Sequence, residues 1–505
     1  MLLDYLISWF GCLQLKNVSN VNLFKIIDYF CAKIFTMLEK IVLIKRITVV
    51  LILITNLTAQ TLRNRIYFEG KPMYINGLNV PWNHFGGDVG NHYQWGTLYQ
   101  PEWFEKMFAD CQAHGINCVR LWIHTDGRAN PEFDDKGFVT GVDRDFFPAF
   151  DDILERAKKH SILVMPCLWS FDMCKDYRKT AGKFAGNHAD LITDSLKTLS
   201  YINNVLVPMV RRYDKHCSLF AWEICNEPEW HMPRPGEQKW KDITEVSVKD
   251  MQRFTAMLAA AIHKNSSKMV TTGSASLKWN SDVPPAVGNW WSDDALQKVY
   301  PDKDSYLDFY QIHYYDWMHE AKFDPFNLNY PFEYWKLDKP CLIGEMPGSL
   351  ERDTIYSNWE KVENCYKNNY AGHMFWSYNG GDGYGAFADF KDVCKKFYEM
   401  HKEEIFPIVP CKTLSTTNLG FKIKTEKGKN ILSWKAENPQ KVKHFIVEKS
   451  LDGINFKHER TIPANENEDE KYYYYDKSKG TTVYYRIKLI ETTGFEATSE
   501  VFSAQ

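Results

Sequence analysis

Residues 219–228 read LFAWEICNEP, an apolar run that ends in Asn226, Glu227 and Pro228. A run of this kind, without polar alternation, is the pattern of a strand buried on both faces, as in a parallel sheet. Seven other runs repeat it: MYINGLNV (73–80), NCVRLWI (117–123), ILVMPCLW (162–169), MVTTGS (269–274), LDFYQIHYY (307–315), CLIGE (341–345) and GHMFWSY (372–378). Between them lie segments with apolar residues at helical spacing. PEWFEKMFADCQAHG (101–115) opens on Pro and closes on Gly, and FPAFDDILERAKKH (147–160) and KDMQRFTAMLAAAIHK (249–264) show the same period. Strand–helix repeats of this number, from about Lys71 to Glu404, predict an α/β fold of the (β/α)8 or TIM-barrel class.

The pattern changes near residue 406. FPIVPCKTLSTTN (406–418) has two prolines and a run of small polar residues, and reads as a linker. Short alternating runs follow: FKIKTE, NILSWKA, HFIVEKS, FKHERTI, KYYYYD, VYYRIKLIE and EATSEVF, separated by turn residues. This is the signature of a small all-β immunoglobulin-like sandwich, and Trp434 early with Tyr485 late resembles a fibronectin type III module. The tyrosine tract is read as a sandwich strand without a binding role, and ENEDE (466–470) as a solvated loop. At the other end, Lys40, Lys45 and Arg46 precede the apolar run Ile47–Leu57 and a small residue, Ala59. That is a secretory signal cut ahead of Gln60, and it is too short to span a bilayer. Met37 is then the expected start, with residues 1–36 outside the protein. The expected domains are a leader over 1–59, a barrel over 60–410 and a sandwich over 411–505.

Lys and Arg number 61 against 64 Asp and Glu, a formal charge of −3, which argues against a protein that holds nucleic acid through phosphates. With 44% hydrophobic and 25% charged residues the chain is globular, not disordered. Its 17 Trp, 28 Tyr and 31 Phe are more rings than a core requires, and point to a binding surface of flat faces, for which sugars are a candidate ligand. Of the 12 cysteines, Cys12 and Cys31 fall in the leader, and the others are too dispersed for a disulfide framework or a zinc site. Cys111 with Cys118, and Cys167 with Cys174, are close enough in sequence to pair.

In a barrel of this type reactive groups sit where strands end. The second run delivers Arg120 and His124, the fourth Asn226 and Glu227, the sixth His313 and Tyr315, the seventh Glu345 and the eighth Trp376. A carboxylate after a buried strand is costly unless the site uses it, and two in one mouth are the equipment of glycoside hydrolysis. Arg120 would hold Glu345 ionised, Asn226 would bind a sugar 2-hydroxyl, Tyr315 would bond the nucleophile and Trp376 would lie under the reacting ring. His84, in NVPWNHFGGD, and His124 with Asp126 read either as sugar contacts or as loop caps, and His313 also reads as a core histidine. Trp82, Trp95, Trp169, Trp230, Trp290, Trp291 and Trp317 read as a group of stacking platforms, with Trp230 and Trp376 the best placed.

NEP after the fourth run, Arg in NCVRLW, HYY after the sixth, IGE in the seventh and FWS in the eighth together resemble glycoside hydrolase family 5, over about Lys71 to Glu404. The resemblance implies Glu227 as acid/base, Glu345 as nucleophile, and supporting roles for Arg120, Asn226, His313, Tyr315 and Trp376. It further implies a retaining endo-glycosidase acting on a β-1,4-linked polysaccharide without metal or organic cofactor. Mannan is the first expected substrate and cellulose or another β-glucan the second, the alternative being a carbohydrate-binding barrel without turnover. A monomer is expected, free of nucleic acid and membrane partners, and secreted, periplasmic or held at the cell surface.

Overall fold

In the computed structural model every apolar run forms a strand: β1 Ile75–Val80, β2 Cys118–Thr125, β3 Leu163–Ser170, β4 Ala221–Asn226, β5 Met269–Ser274, β6 Tyr310–His313, β7 Cys341–Pro347 and β8 Gly372–Trp376. They pair in chain order, all parallel, and β8 closes on β1. The structure describes residues 64–405 apart from 69, 93–94, 177–178, 181–182, 235–240 and 321, and 421–504 apart from several loop positions; before residue 64 it describes Lys45 alone. The leader and its cleavage site, Cys12, Cys31, the linker 406–418 and ENEDE (466–470) therefore lie outside the described residues.

The helices pack by the expected spacing. α1 (Pro101–Ala113) buries Phe104, Met107, Phe108 and Cys111, one stripe of a 3.6-residue period, and starts on a proline whose missing N–H costs nothing there. It stops at Gly115, whose φ of +70° suits a residue without Cβ and whose bare Cα lies against the Tyr398 ring. α2 (Phe146–Lys159) buries six residues and places Arg156, Lys158 and Lys159 at its negative C-terminal end. α3 (Val248–Asn265) is capped by the Ser247 hydroxyl, which accepts from the Asp250 N–H. Side chains from the strand beginnings, among them Ile75, Cys118, Leu163, Ala221 and Leu342, share one buried apolar cluster. The buried polar residues Asn79, Asn226, His313 and Glu345 come from the later halves of their strands, and Arg120 reaches Asn79, Asn226 and Glu345 from β2. The barrel thus has an apolar floor and a polar mouth.

The C-terminal strands form two small antiparallel sheets. β9 (Lys422–Glu426), β10 (Lys429–Trp434) and β13 (Tyr472–Asp476) make one, in the order β9-β10-β13. β11 (Val442–Ser450), β12 (Lys457–Pro463), β14 (Val483–Glu491) and β15 (Glu496–Thr498) make the other, in the order β12-β11-β14-β15, and β16 (Phe502–Ala504) also pairs with β14. The last predicted run is therefore two short strands. Trp434, Phe445, Tyr472, Tyr485 and Ile487 share a single core drawn from both sheets.

Neither cysteine pair suggested by proximity in sequence forms. Cys111, Cys118, Cys167 and Cys174 are free, buried thiols, each held by its own helix, strand or turn, and burial raises the pKa of every one of them. Cys217 is disulfide-bonded. Among the described residues no helix is long and apolar enough to cross a membrane.

Asn117 fastens the start of the barrel. Its side chain accepts from the Asn76 N–H (3.0 Å) and donates to the Tyr74 carbonyl (2.9 Å), while its own carbonyl accepts from the Leu163 N–H. Asn117→Ala strands a buried backbone donor and acceptor at the β1–β2 junction. The expected loss is about 1–3 kcal/mol of stability, read as a lower denaturation midpoint.

Candidate active site

Arg120 projects from the middle of β2 into a fully buried position. A guanidinium has five N–H donors and no acceptor, so burying it requires five acceptors. They are present. Nε donates to Glu223 Oε2 (2.5 Å), Nη1 to Asn79 Oδ1 (2.9 Å) and Glu345 Oε1 (2.6 Å), and Nη2 to Glu223 Oε1 (2.6 Å) and Asn226 Oδ1 (2.7 Å). Glu223 is gripped by the two-pronged geometry that arginine offers a carboxylate. Burial opposes its ionisation, but the charge and hydrogen bonds of Arg120 outweigh burial and hold its pKa below the ordinary value.

Glu227 and Glu345 face each other across this cage. One oxygen of each, together with a ring nitrogen of His313, fall within 4.8 Å of one another. His313 Nδ1 lies 2.9 Å from Glu227 Oε1 and 3.4 Å from Glu345 Oε1. Trp230 Nε1 donates to the other oxygen of Glu227 (2.7 Å), and Tyr315 Oη to the other oxygen of Glu345 (2.8 Å). Burial raises the Glu227 pKa to about 7, against the opposing hydrogen bond from Trp230 and the charge of Arg120. Burial also raises Glu345, and here His313 and Arg120 oppose it. The His313 pKa is lowered to about 4 by burial, so near neutral pH it is an uncharged ring, and among the described residues Arg120 is the permanent cation in contact with the pair. Glu345 touches that cation and Glu227 does not. The arrangement favours a proton on Glu227 and a negative charge on Glu345, which is the division that acid and nucleophile require. The same three residues have the donor types of a divalent-cation site, but one oxygen of Glu345 is already bonded to the adjacent guanidinium.

Cellulase, glycosyl hydrolase family 5, matches residues 69–382. The chain belongs to this family. It is similar to the mannan endo-1,4-beta-mannosidase of Mytilus edulis, with 32% identity over 330 residues that cover 61% of this chain and 85% of the mussel protein. The corresponding protein of Cryptopygus antarcticus is 29% identical over 63% of this chain and 84% of its own. Among solved structures, the endo-1,4-beta-mannanase of Eisenia fetida superposes with a TM-score of 0.58 at 28% identity, covering 66% of this chain and 92% of that one.

In this family 5 barrel Trp376 lies beside Trp82 and Trp122 in an aromatic cluster joined by Phe85 and Tyr384, and its indole donates to Asp382 (2.5 Å). His84 is partly exposed on the loop after β1, with Nδ1 3.4 Å from Asp88. His124 is placed differently from the expected sugar contact. It is buried, Nδ1 pairs with Asn130 and Nε2 with Tyr201 Oη (3.0 Å), and the ring packs among Phe146, Trp169 and Tyr201. Asp126 is likewise buried, paired with Arg128. The tryptophan group divides: Trp169 and Trp291 are core, Trp95 and Trp317 are exposed, and Trp230 sits between Trp279 and Trp317. Sequence reasoning missed Glu223 and Asn79, although a lone carboxylate inside the run LFAWEICN was a signal. It also missed Glu229, whose buried carboxylate accepts from Ser274 Oγ, the Ala275 N–H and Trp291 Nε1 at 2.7–3.0 Å.

A carboxyl raised from 4.5 to about 7 binds its proton more tightly in the folded state. The stabilisation it provides is complete below pH 4.5 and is lost as the pH rises to about 7. Glu227→Gln should match the parent near pH 4 and exceed it by about 1–3 kcal/mol at pH 8, as measured by denaturant unfolding at both pH values.

Proposed function

We propose that the chain is a retaining endo-β-1,4-mannanase in which Glu227 is the acid/base and Glu345 the nucleophile. The observation that carries the reading is the approach of the two carboxylates to within 4.8 Å, with only one of them bonded to Arg120. Carboxyl groups about 5 Å apart suit double displacement, whereas inversion needs a wider gap for water. Glu345 attacks the anomeric carbon while Glu227 gives its proton to the departing glycosidic oxygen. Glu227, now a carboxylate, then takes a proton from the water that opens the glycosyl ester. Arg120 and Tyr315 each donate to one oxygen of Glu345 and fix its orientation. Asn226 is held by Arg120 at the rim as the candidate contact for the sugar 2-hydroxyl, and Trp376, Trp230 and His84 line the path of the chain. His124 is left out of this set because both of its ring nitrogens are engaged inside the protein. Mannan is favoured over glucan because similar proteins from Mytilus edulis and Cryptopygus antarcticus are named for that activity.

The reading extends to the rest of the chain. Residues 60–410 are the catalytic domain and 411–505 an immunoglobulin-like module, supported by a three-strand sheet facing a C-terminal sheet around one core. Secretion after cleavage near Ala59 is supported by the charged and apolar pattern of residues 40–59.

A reducing-sugar assay of residues 60–505 on mannan, glucomannan, carboxymethyl-cellulose, xylan and mixed-linkage glucan tests the substrate. The expected result is release from mannans, lowered by about 10³-fold or more in Glu227→Ala and Glu345→Ala, with the β-anomer appearing first by NMR. Release confined to glucans would replace the substrate, and initial α-anomer would overturn the mechanism. The rate should fall above about pH 7, where Glu227 loses the proton it must donate. Trp230→Phe removes a hydrogen bond that favours the ionised form, so this alkaline limb should move to higher pH in the kcat/KM profile.

A further inference from the structure

The tyrosine tract of the C-terminal module is more than a strand. Along β13 the side chains alternate: Tyr472 is buried and Tyr474 packs against the core, whereas Tyr473 is 47% and Tyr475 58% exposed. Their rings are 6.5 Å apart and nearly parallel, at 17°. Register sets the rest of the face. Tyr473 pairs across with Ser433 and then Lys422, and Tyr475 with Ile431 and then Lys424. Two rows of one aromatic ring, one small or aliphatic residue and one lysine therefore lie side by side on the outer face of β9-β10-β13. Where β13 and β12, the edges of the two sheets, approach each other, Arg460, Pro463 and the three tyrosines border a groove of about 440 Å³. Tyr474 Oη, at its border, donates to Glu459 Oε1 (3.0 Å).

Core packing accounts for Tyr472 and Tyr474 but not for two large rings aimed at water on an edge strand, where a protein commonly places charge to prevent association. The shape narrows the occupant. The rings form a strip that repeats along the strand, not a broad apolar patch, and they are flanked by a hydroxyl and by lysine donors. The face has few uncompensated charges: Lys424 pairs with Glu426, and no carboxylate lies in either row. A flat ring with a polar tip fits the C–H face of a pyranose, and a strip of such rings fits an extended chain of them. A protein partner would call for a wider apolar centre.

We propose that Tyr473 and Tyr475, with the groove beside them, bind an extended, neutral β-linked polysaccharide and hold the catalytic domain on its insoluble substrate. The choice of polymer rests on the mannanase reading; the surface does not.

The test uses the full mature chain with Glu345→Ala, so that bound polymer is not degraded, with and without Tyr473→Ala/Tyr475→Ala. Retention is measured by sedimentation with insoluble β-mannan and microcrystalline cellulose, with granular starch as the α-linked control. The double alanine variant should lose retention on a β-linked polymer by roughly tenfold, and Tyr473→Phe/Tyr475→Phe should keep most of it. With Glu345 intact, the alanine pair should leave kcat/KM on soluble manno-oligosaccharides unchanged and reduce turnover of insoluble mannan. Equal retention with and without the rings overturns the proposal, as does absence of retention of the parent on both β-linked polymers. Retention that depends on the tyrosines, in a protein that hydrolyses no mannan, would sink the mannanase reading and leave the binding surface standing.

Discussion

The guanidinium of Arg120 is the interaction around which the catalytic domain is organised. It is a charge at zero exposure, and a charge in that position is tolerable only when every donor is matched. Its acceptors come from β1, β4 and β7, and it stands on β2, so one side chain ties together strands on opposite sides of the barrel. Breaking a buried pair of this kind costs about 3–5 kcal/mol, because the partner is left charged and unpaired. The chemistry depends on the same bonds. Glu223 takes both prongs on one side of the guanidinium and leaves a single N–H for Glu345, which is enough to favour its ionisation without neutralising it as a nucleophile.

The two glutamates differ through what each can reach. Glu345 is buried and Glu227 largely so, and desolvation pushes both upward, so a dry pocket alone would favour the protonated form of both. At Glu345 a permanent cation and a phenol donor oppose that push, whereas Glu227 has an indole N–H and a histidine that is uncharged near neutral pH. Asymmetry in the surroundings, not in the residues themselves, separates the two carboxyls, as the proposed division into acid and nucleophile requires.

Much of this was legible in the sequence because a parallel barrel writes each strand as an uninterrupted apolar run and each site residue as the polar group that ends it. Glu227, Glu345, His313 and Tyr315 were picked out on that rule, and the structure brings them together. Glu223 was not, because it lies inside its run, where only the expense of an unpaired carboxylate marks it. His124 failed for a different reason. β2 continues to Thr125, and its register with β3 shifts between Trp122 and Thr125. Arg120 and Trp122 face the barrel interior and the mouth, but beyond the shift His124 turns to the helical side, against Phe146 and Tyr201. Counting by twos along a strand cannot anticipate a bulge. The exposed pair in the tyrosine tract was hidden similarly, since four consecutive tyrosines show no alternation until the strand assigns them to two faces.

The position of Glu227 shows how far local stability yields to function. Its φ of 46° and ψ of 52° are left-handed, a region that a residue with a Cβ enters at a cost of about 1–2 kcal/mol and where glycine would be at ease. The surroundings offset that cost. Its N–H donates to the Gly273 carbonyl, Pro228 follows in a single short turn, and the Glu229 carboxylate ties that turn to Ser274 and Ala275 at the end of β5. Gly273 completes the arrangement: a Cβ there would collide with Glu223 Oε1 and come within 2.8 Å of Gln311 Nε2. The strained turn and the bare glycine solve one geometric problem. The chain must leave β4 sharply enough to aim a carboxylate back over the mouth, and β5 must pass close enough to receive its backbone, while the Arg120 cage fills the space beneath. A glycine at 227 would relax the turn and remove the carboxylate, so the strain falls on the residue proposed to deliver the proton.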